Sequence, residues 1–375
     1  MGNGEIKLAE TVQQGKSRMT DNRKNLRIGI IGCGVIAYDH LGALLDRKAS
    51  YTFLFCDTRR SAAEKLGASF NQKYTYVDDA QKLFTEHRPD VVHVLTPPDS
   101  HYFLTKQALE EGIHVLVEKP MAFTLAETRE LIDLAARNEK KVCVDHSLLY
   151  MPCVRTAFDW LEQGRCGKII SVHAFFGHAE KKKCIPYGGV SHWAYKMPGG
   201  PMLNILSHPA SILVALLGEP DVIQFMAEQR HFMPDHLPDM VTFSMKTPRG
   251  LGTCTLSMAH GDSSRYLVIE TEKSSIYVDL ARQLSVNRAH AGRLGFLSKA
   301  LTGMGMGTAM TMGTIGMVAK VATKKIKRNP GTREMVVRFY DALCQDKDLP
   351  VSTENMIGVA RIIEEVLINN GVQAN

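Results

Sequence analysis

Nowhere in this 375-residue chain do two cysteines form a Cys-x-x-Cys pair, and no Cys/His cluster has zinc-ligand spacing. No metal site is therefore expected, and the eight scattered cysteines fit the reduced thiols of a cytoplasmic protein. Residues 1–25 lack an apolar core segment, so no secretory signal is expected there. Met1-Gly2 opens like an acylation site, but position 6 is Ile6 where Ser or Thr is needed, which argues against myristoylation. Acidic residues are missing from Ala281 to Arg333, a stretch with ten Lys or Arg. The formal net charge of +6 is concentrated there. The remainder is slightly acidic, which argues against a nucleic-acid partner over most of the surface.

What is present is an ordinary globular composition, 45% hydrophobic and 22% charged, on a chain too long for one efficient core. Two domains are expected after a polar tail at 1–25. Leu26–Ile31, Tyr51–Cys56, Val91–Leu95, His114–Val117 and Val142–Val144 read as short buried strands. Ser61–Phe70 and Phe103–Glu111 read as helices, and a third starts after Thr124, with Glu127 completing a capping box. This alternation predicts an α/β fold with a doubly wound parallel sheet over 26–149. Beyond it, Lys168–Phe176, Val222–Ala227, Met240–Met245, Leu251–Met258, Tyr266–Glu270 and Ile276–Leu280 are strand-like, most of them at turn-length gaps. They predict an open, mainly antiparallel sheet in a second domain over 150–375, closed by helices near Met335–Leu343 and Met356–Ile368.

Gly32-Cys33-Gly34-Val35-Ile36-Ala37 follows the first strand and opens a helix. In such a turn the first glycine permits positive φ, the second removes a Cβ that would block a pyrophosphate, and a small third residue lets the helix pack on the strand. The helix N-terminus offers free N–H groups and partial positive charge to the phosphates. Asp57 stands twenty residues past Ala37, where a carboxylate accepts hydrogen bonds from the ribose hydroxyls and repels a 2′-phosphate. NAD is therefore favoured over NADP, although Arg59 and Arg60 follow at once and offer a phosphate some charge.

Four segments resemble one known family, the Gfo/Idh/MocA oxidoreductases, relatives of glucose–fructose oxidoreductase and inositol dehydrogenase. They are Ile30-Ile31-Gly32-Cys33-Gly34, Thr96-Pro97-Pro98-Asp99-Ser100-His101, Val117-Glu118-Lys119-Pro120, and Gly199-Gly200-Pro201-Met202-Leu203-Asn204 leading to His208. The resemblance implies a Rossmann domain, a second α/β domain whose open sheet mediates homo-oligomerisation, and hydride transfer between NAD(P) and a hydroxyl carbon of a sugar, cyclitol or sugar derivative. Lys119 matches the family's active-site lysine, an ammonium suited to a developing alkoxide. His208 matches its catalytic histidine, an imidazole suited to take the hydroxyl proton. Gly32, Cys33, Gly34, Val35, Ile36, Asp57, Thr96, Pro97, His101, Glu118 and Lys119 form the expected cofactor-side set. Within it, Thr96 and Pro97 offer backbone to the nicotinamide half, and the His101 ring is expected to brace the following helix.

The chain also departs from the family. Asn204 stands where the family usually has Asp, so it orients His208 without stabilising its cation by charge. Pro209 inside a helix costs about 3 kcal/mol. It predicts either a bend or a helix starting near Ser207, which would separate Asn204 from His208. The Arg usual after Trp193 is replaced by Ala194, and Tyr195 is a candidate to supply a phenol instead. His146 and Tyr150 lie where the chain enters the second domain.

An insert at about 288–331 has no counterpart in this pattern. Residues 300–319 carry no charge and five glycines, and Lys320, Lys324, Lys325, Lys327 and Arg328 follow. That composition is too poor in hydropathy for a membrane span, and suits a subunit contact, a lid, or an amphipathic segment at 296–328 resting on an anionic membrane. Glu180-Lys181-Lys182-Lys183 would attract an anionic substrate group or form a wet loop. The expected protein is a cytoplasmic NAD-dependent sugar or cyclitol dehydrogenase, with a sugar nucleotide among its candidate substrates and a membrane-peripheral location left open. Two rivals are a cofactor-binding scaffold that has lost catalysis, and a C=N or C=C reductase on the same fold.

Overall fold

Short runs of β-branched and aromatic residues become strands when both their faces are covered, and those runs build the first sheet. In the computed structural model, residues 25–369 are described apart from 48, 179–190, 231–232, 234–236, 259–262, 291–302, 305–306, 309, 317, 319–328 and 346. Contacts divide the chain into two units. The first comprises residues up to Ala122, Ala126–His146 and Thr332–Thr353. The second comprises Phe123–Leu125, Ser147–Gly331 and Glu354–Asn375. The strand and helix pattern of the sequence places all of 150–375 in the second domain. The helix α7 (Pro330–Gln345) instead supplies Met335, Val336, Phe339 and Tyr340, all wholly buried, to the first unit.

The first unit holds β1 (Leu26–Ile31), α1 (Ala37–Asp46), β2 (Tyr51–Cys56), α2 (Arg60–Phe70), β3 (Tyr74–Val77), β4 (Val91–Val94), α3 (His101–Glu110), β5 (His114–Val117), most of α4 (Leu125–Arg137) and β6 (Val142–Val144). All strand pairs are parallel, in the order β3-β2-β1-β4-β5-β6. The order reverses between β1 and β4, and ligands of such sheets bind at that crevice, beyond the strands' carboxyl ends. The four-residue strand β3 was not foreseen, since only Val77 in it is fully buried.

In the second unit α5 (Pro152–Glu162) and β7 (Ile169–Gly177) precede α6 (Gly200–Leu217). There follow β8 (Val222–Glu228), β9 (Met240–Thr247), β10 (Gly250–Ser257), β11 (Arg265–Thr271), β12 (Ser274–Asp279) and β13 (Leu284–Ala289), with α8 (Thr353–Asn369) last. The seven strands run β13-β12-β11-β7-β10-β9-β8, antiparallel except for β7 beside β10. Helix α6 lies against β7 and β10, so one face of the sheet is buried and the residues of the other are half-exposed. Among the described residues only α6 is long and apolar enough to cross a membrane, and 89% of it is buried, which marks it as a core helix.

Candidate active site

Two glycines after β1 do different work. Gly32 has φ +89°, and a Cβ there would stand 2.8 Å from the Leu95 carbonyl oxygen at the end of β4, so only glycine fits. A Cβ on Gly34 meets no atom within 4 Å. Its missing side chain is therefore not required by the protein's own packing, which is what a cradle for a diphosphate demands. Ala37 is wholly buried at the start of α1, and Ile36 is half-buried. Val35 stays 68% exposed beside the loop. Cys33 offers only its backbone, because its thiol is buried and pushed up to about 12 by burial and the nearby Asp57 carboxylate. The seven described cysteines are all buried thiols.

Asp57 ties this loop to the next. The Cys33 N–H donates to Oδ2 and the Arg59 N–H to Oδ1, each at 2.8 Å. A carboxylate has about four acceptor sites, so two remain for ribose hydroxyls. Arg60 is engaged by Glu64 and lies over the Tyr76 ring, whereas Arg59 is exposed and only 3.8 Å from Asp57. The pair does not form a built phosphate pocket, which favours NAD.

Beyond β4, Thr96 Oγ1 and Ser100 Oγ are 2.6 Å apart, and Pro97 is exposed. The His101 ring is buried, with Nδ1 2.8 Å from the Pro120 carbonyl and Nε2 2.8 Å from that of Thr96. It braces the two loops against each other and has no nitrogen left for a cofactor. Lys119 is half-buried at the end of β5, followed by a cis peptide to Pro120. Glu118 also differs from its expected place among cofactor ligands. One of its oxygens accepts from the Lys119 N–H at 3.1 Å, and the other faces inward, 3.7 Å from His40 Nε2.

That inward contact belongs to a buried polar line that the sequence reading missed. Tyr340 Oη is 2.9 Å from His93 Nε2, and His93 Nδ1 is 2.9 Å from His40 Nδ1. His40 Nε2 then lies 3.3 Å from Asp145 Oδ2, as an ion pair rather than a well-aligned hydrogen bond. Burial pulls His40 down, but Asp145 and Glu118 outweigh it and raise it to about 9. Burial raises Asp145 to about 6 against the pull of His40, while His40 and Lys119 hold Glu118 low in spite of its burial. Burial, and then the His40 charge, push His93 well down. A histidine inside the strand Val-Val-His-Val and an aspartate directly after Val-Cys-Val were the visible signals.

The signs give a pH expectation. His40, raised in the fold, contributes stability in full below about 6.5 and loses it as pH rises through about 9. Asp145, also raised, loses its contribution as pH rises through about 6. Glu118, lowered, contributes above its ordinary value of 4.5. Thermal midpoints are expected to be highest in mildly acid buffer and to fall between about pH 6 and 9. His40→Gln should flatten that fall; an unchanged slope in the variant would count against the assignment.

In the second unit, α6 runs unbroken from Gly200 through Pro209, so neither a start near Ser207 nor a separation of Asn204 from His208 is found. The two stand one turn apart, Asn204 buried and His208 half-buried. The helix is buried along nearly its whole length, and packing of that extent offsets one lost backbone bond. Tyr195 is buried in the short turn Trp193–Tyr195 just before α6. His146 and Tyr150 are buried as well. Residues 180–183 and most of the insert lie outside the described residues. Among its described residues, 303–304, 307–308, 310–316 and 318 are helical, with Met304, Met312, Ile315 and Val318 exposed.

Residues 26–146 match the sequence model of the GFO_IDH_MocA oxidoreductase family, NAD-binding Rossmann fold, and residues 154–277 match the GFO/IDH/MocA C-terminal domain. D-glucoside 3-dehydrogenase of Escherichia coli (strain K12) is 31% identical over 208 residues, 55% of this chain and 58% of that protein. Less than two thirds of that relative's length is therefore spanned. The WlbA dehydrogenase of Bordetella pertussis, solved in complex with NADH and UDP-GlcNAcA, superposes with a TM-score of 0.75 at 16% identity, covering 93% of this chain and 97% of that one. Levoglucosan dehydrogenase, in complex with NADH and levoglucosan, gives 0.72 at 16% identity, with 92% and 97% covered.

Proposed function

Because the chain belongs to the Gfo/Idh/MocA oxidoreductase family and its first unit is an NAD-binding Rossmann domain, we propose that it is an NAD-dependent dehydrogenase of a sugar or sugar derivative. The observation that carries this is the glycine loop at the β1/β4 reversal, with Gly34 free of any packing reason to be glycine. Sugar chemistry is supported by relatives named as a D-glucoside 3-dehydrogenase and a dTDP-sugar 3-reductase. The finer reading is oxidation at a hydroxyl carbon, with sugar nucleotides among the substrates to be tried.

NAD, when bound, supplies the hydride acceptor. The chain's own groups do the rest: backbone N–H groups at the start of α1 hold the diphosphate, and Asp57 holds the adenosine ribose. Lys119 stabilises the alkoxide as it forms, and His208, oriented by Asn204, takes the hydroxyl proton. Tyr195 donates to the substrate. Titration with NADH and NADPH tests the cofactor assignment, and Asp57→Ala is expected to lower the preference for NADH about tenfold, roughly 1.4 kcal/mol. A preference that does not move would remove Asp57 from that role.

Two surfaces complete the reading. The outer face of the second sheet carries a half-exposed row, Phe175 stacked on Tyr266 and Tyr266 tilted against Tyr277, and this is the face through which the protein forms a homo-oligomer. Light scattering should show an oligomer that Tyr266→Lys dissociates; a wild-type monomer at micromolar concentration removes the idea. The exposed apolar residues of the insert, followed by its Lys/Arg run, contact an anionic membrane surface. Flotation with phosphatidylserine vesicles at low salt should carry the protein upward, and its absence there would rule the contact out.

A further inference from the structure

Five side chains from five separate segments meet in line inside the first unit: Tyr340 of α7, His93 of β4, His40 of α1, Glu118 after β5 and Asp145 after β6. Four of them are wholly buried, and the Glu118 side chain is 14% exposed. A dry interior tolerates such a group only if its charges are balanced and its hydrogens have acceptors.

Hydrogens and charge together give the line its direction. The contact between His93 Nδ1 and His40 Nδ1 holds one hydrogen. At its other nitrogen His40 faces two carboxylates, neither of which has a hydrogen to offer when ionised. Balance at that end needs a hydrogen on His40 Nε2. The two carboxylate charges at that end favour a second hydrogen on Nδ1, donated to His93, which accepts there and carries its own hydrogen on Nε2, toward Tyr340 Oη. His40 is thus an imidazolium, and His93 is held neutral because a second cation beside it would be unpaired.

We propose that His40 is a positioning residue for the reaction: its buried cation anchors the Glu118 carboxylate, which in turn holds the backbone of Lys119 at the carboxyl edge of the sheet. This rests on the assignment of Lys119 as the active-site lysine. The link is short. The same Glu118 carboxylate that faces His40 accepts the Lys119 N–H, so releasing one end of Glu118 releases the other. Tyr340 and His93 act one step further back, keeping the His40 ring oriented. The charged or titratable groups facing this line are Glu118 with Lys119, Asp145 with Cys143 beside it, His101 near Glu118, and, around Tyr340, Arg47, Tyr51, Cys344 and Asp90.

The test reads charge state and rate separately. In protein labelled with 15N at histidine, side-chain NMR should show both His40 nitrogens protonated from pH 6 to 8 and His93 protonated only at Nε2. His40→Gln should lower kcat about 10- to 100-fold and move the acid limb of the pH profile upward, since Glu118 without its cation protonates more readily. NADH affinity should change less than about threefold. Tyr340→Phe should shift the same limb in the same direction by less. The double variant His40→Gln/Glu118→Gln should lose the acid limb and recover part of the lost melting temperature, a coupling that a purely space-filling histidine would not give. A neutral His40 at pH 7, a stoichiometric divalent metal in the purified protein, or a His40→Gln variant with an unshifted limb would overturn the proposal. Failure of NADH to bind the wild type would instead sink the dehydrogenase reading and leave the NMR result standing.

Discussion

Gly34→Val is expected to weaken NADH binding at least about 100-fold, close to 2.7 kcal/mol, while leaving the melting temperature within about 2 °C of the wild type. The reason is geometric. The Cβ position at Gly34 touches nothing in the protein, so the fold has no objection to a side chain there, whereas a diphosphate resting on the loop has a strong one. Gly32→Ala should show the opposite balance. Its positive φ and its 2.8 Å approach to the Leu95 carbonyl make any side chain costly to the fold itself, by about 1–3 kcal/mol. A melting temperature lowered by roughly 3–8 °C is the expected sign. If the two variants behaved alike in both assays, the loop would be a structural turn and the cofactor assignment would fail. Fluorescence titration and scanning calorimetry on the same samples decide it.

Lys119→Ala is expected to lower kcat about 10²- to 10³-fold with a change in NADH affinity below about tenfold. An ammonium contributes most where negative charge develops on the reacting oxygen, and little to the ground state, so the loss belongs in the chemical step. Single-turnover formation of NADH from NAD with a panel of free sugars, glycosides and sugar nucleotides would show it. Equal traces for wild type and variant, at measurable NADH binding, would favour the scaffold reading over the enzyme. Reduction of imines or activated alkenes in the same assay would favour the reductase alternative.

Some of this was legible in the sequence and some was not, for physical reasons. Tyr51–Cys56, His114–Val117 and Val142–Val144 could be bounded to the residue, because a strand covered on both faces is a continuous apolar run ended by a turn. The strands β3 and β13 escaped because too few of their residues are buried to leave a pattern. Gly32, Gly34 and Asp57 stand out in the sequence because they keep the spacing of a strand–turn–helix–strand unit. His40, His93 and Asp145 do not, since they lie in three separate segments with no shared spacing, and only the fold brings them together. Of the two expectations for Pro209, a helix starting near Ser207 fails because propensity counts one lost hydrogen bond and not the burial around it. The assignment of α7 to the first unit was equally hidden, since an amphipathic stripe does not say which sheet it will cover.

That return of residues 332–353 sets a clock on biosynthesis. A ribosome adding about 5–20 residues per second reaches Tyr340 some ten seconds or more after finishing β6. Through that interval His93 has no phenol to meet, and the flank that Phe339 will cover is bare. The nucleotide-binding half is thus the first to be translated and among the last to be finished, so a nascent chain halted before residue 332 leaves bare the apolar surface that α7 later covers.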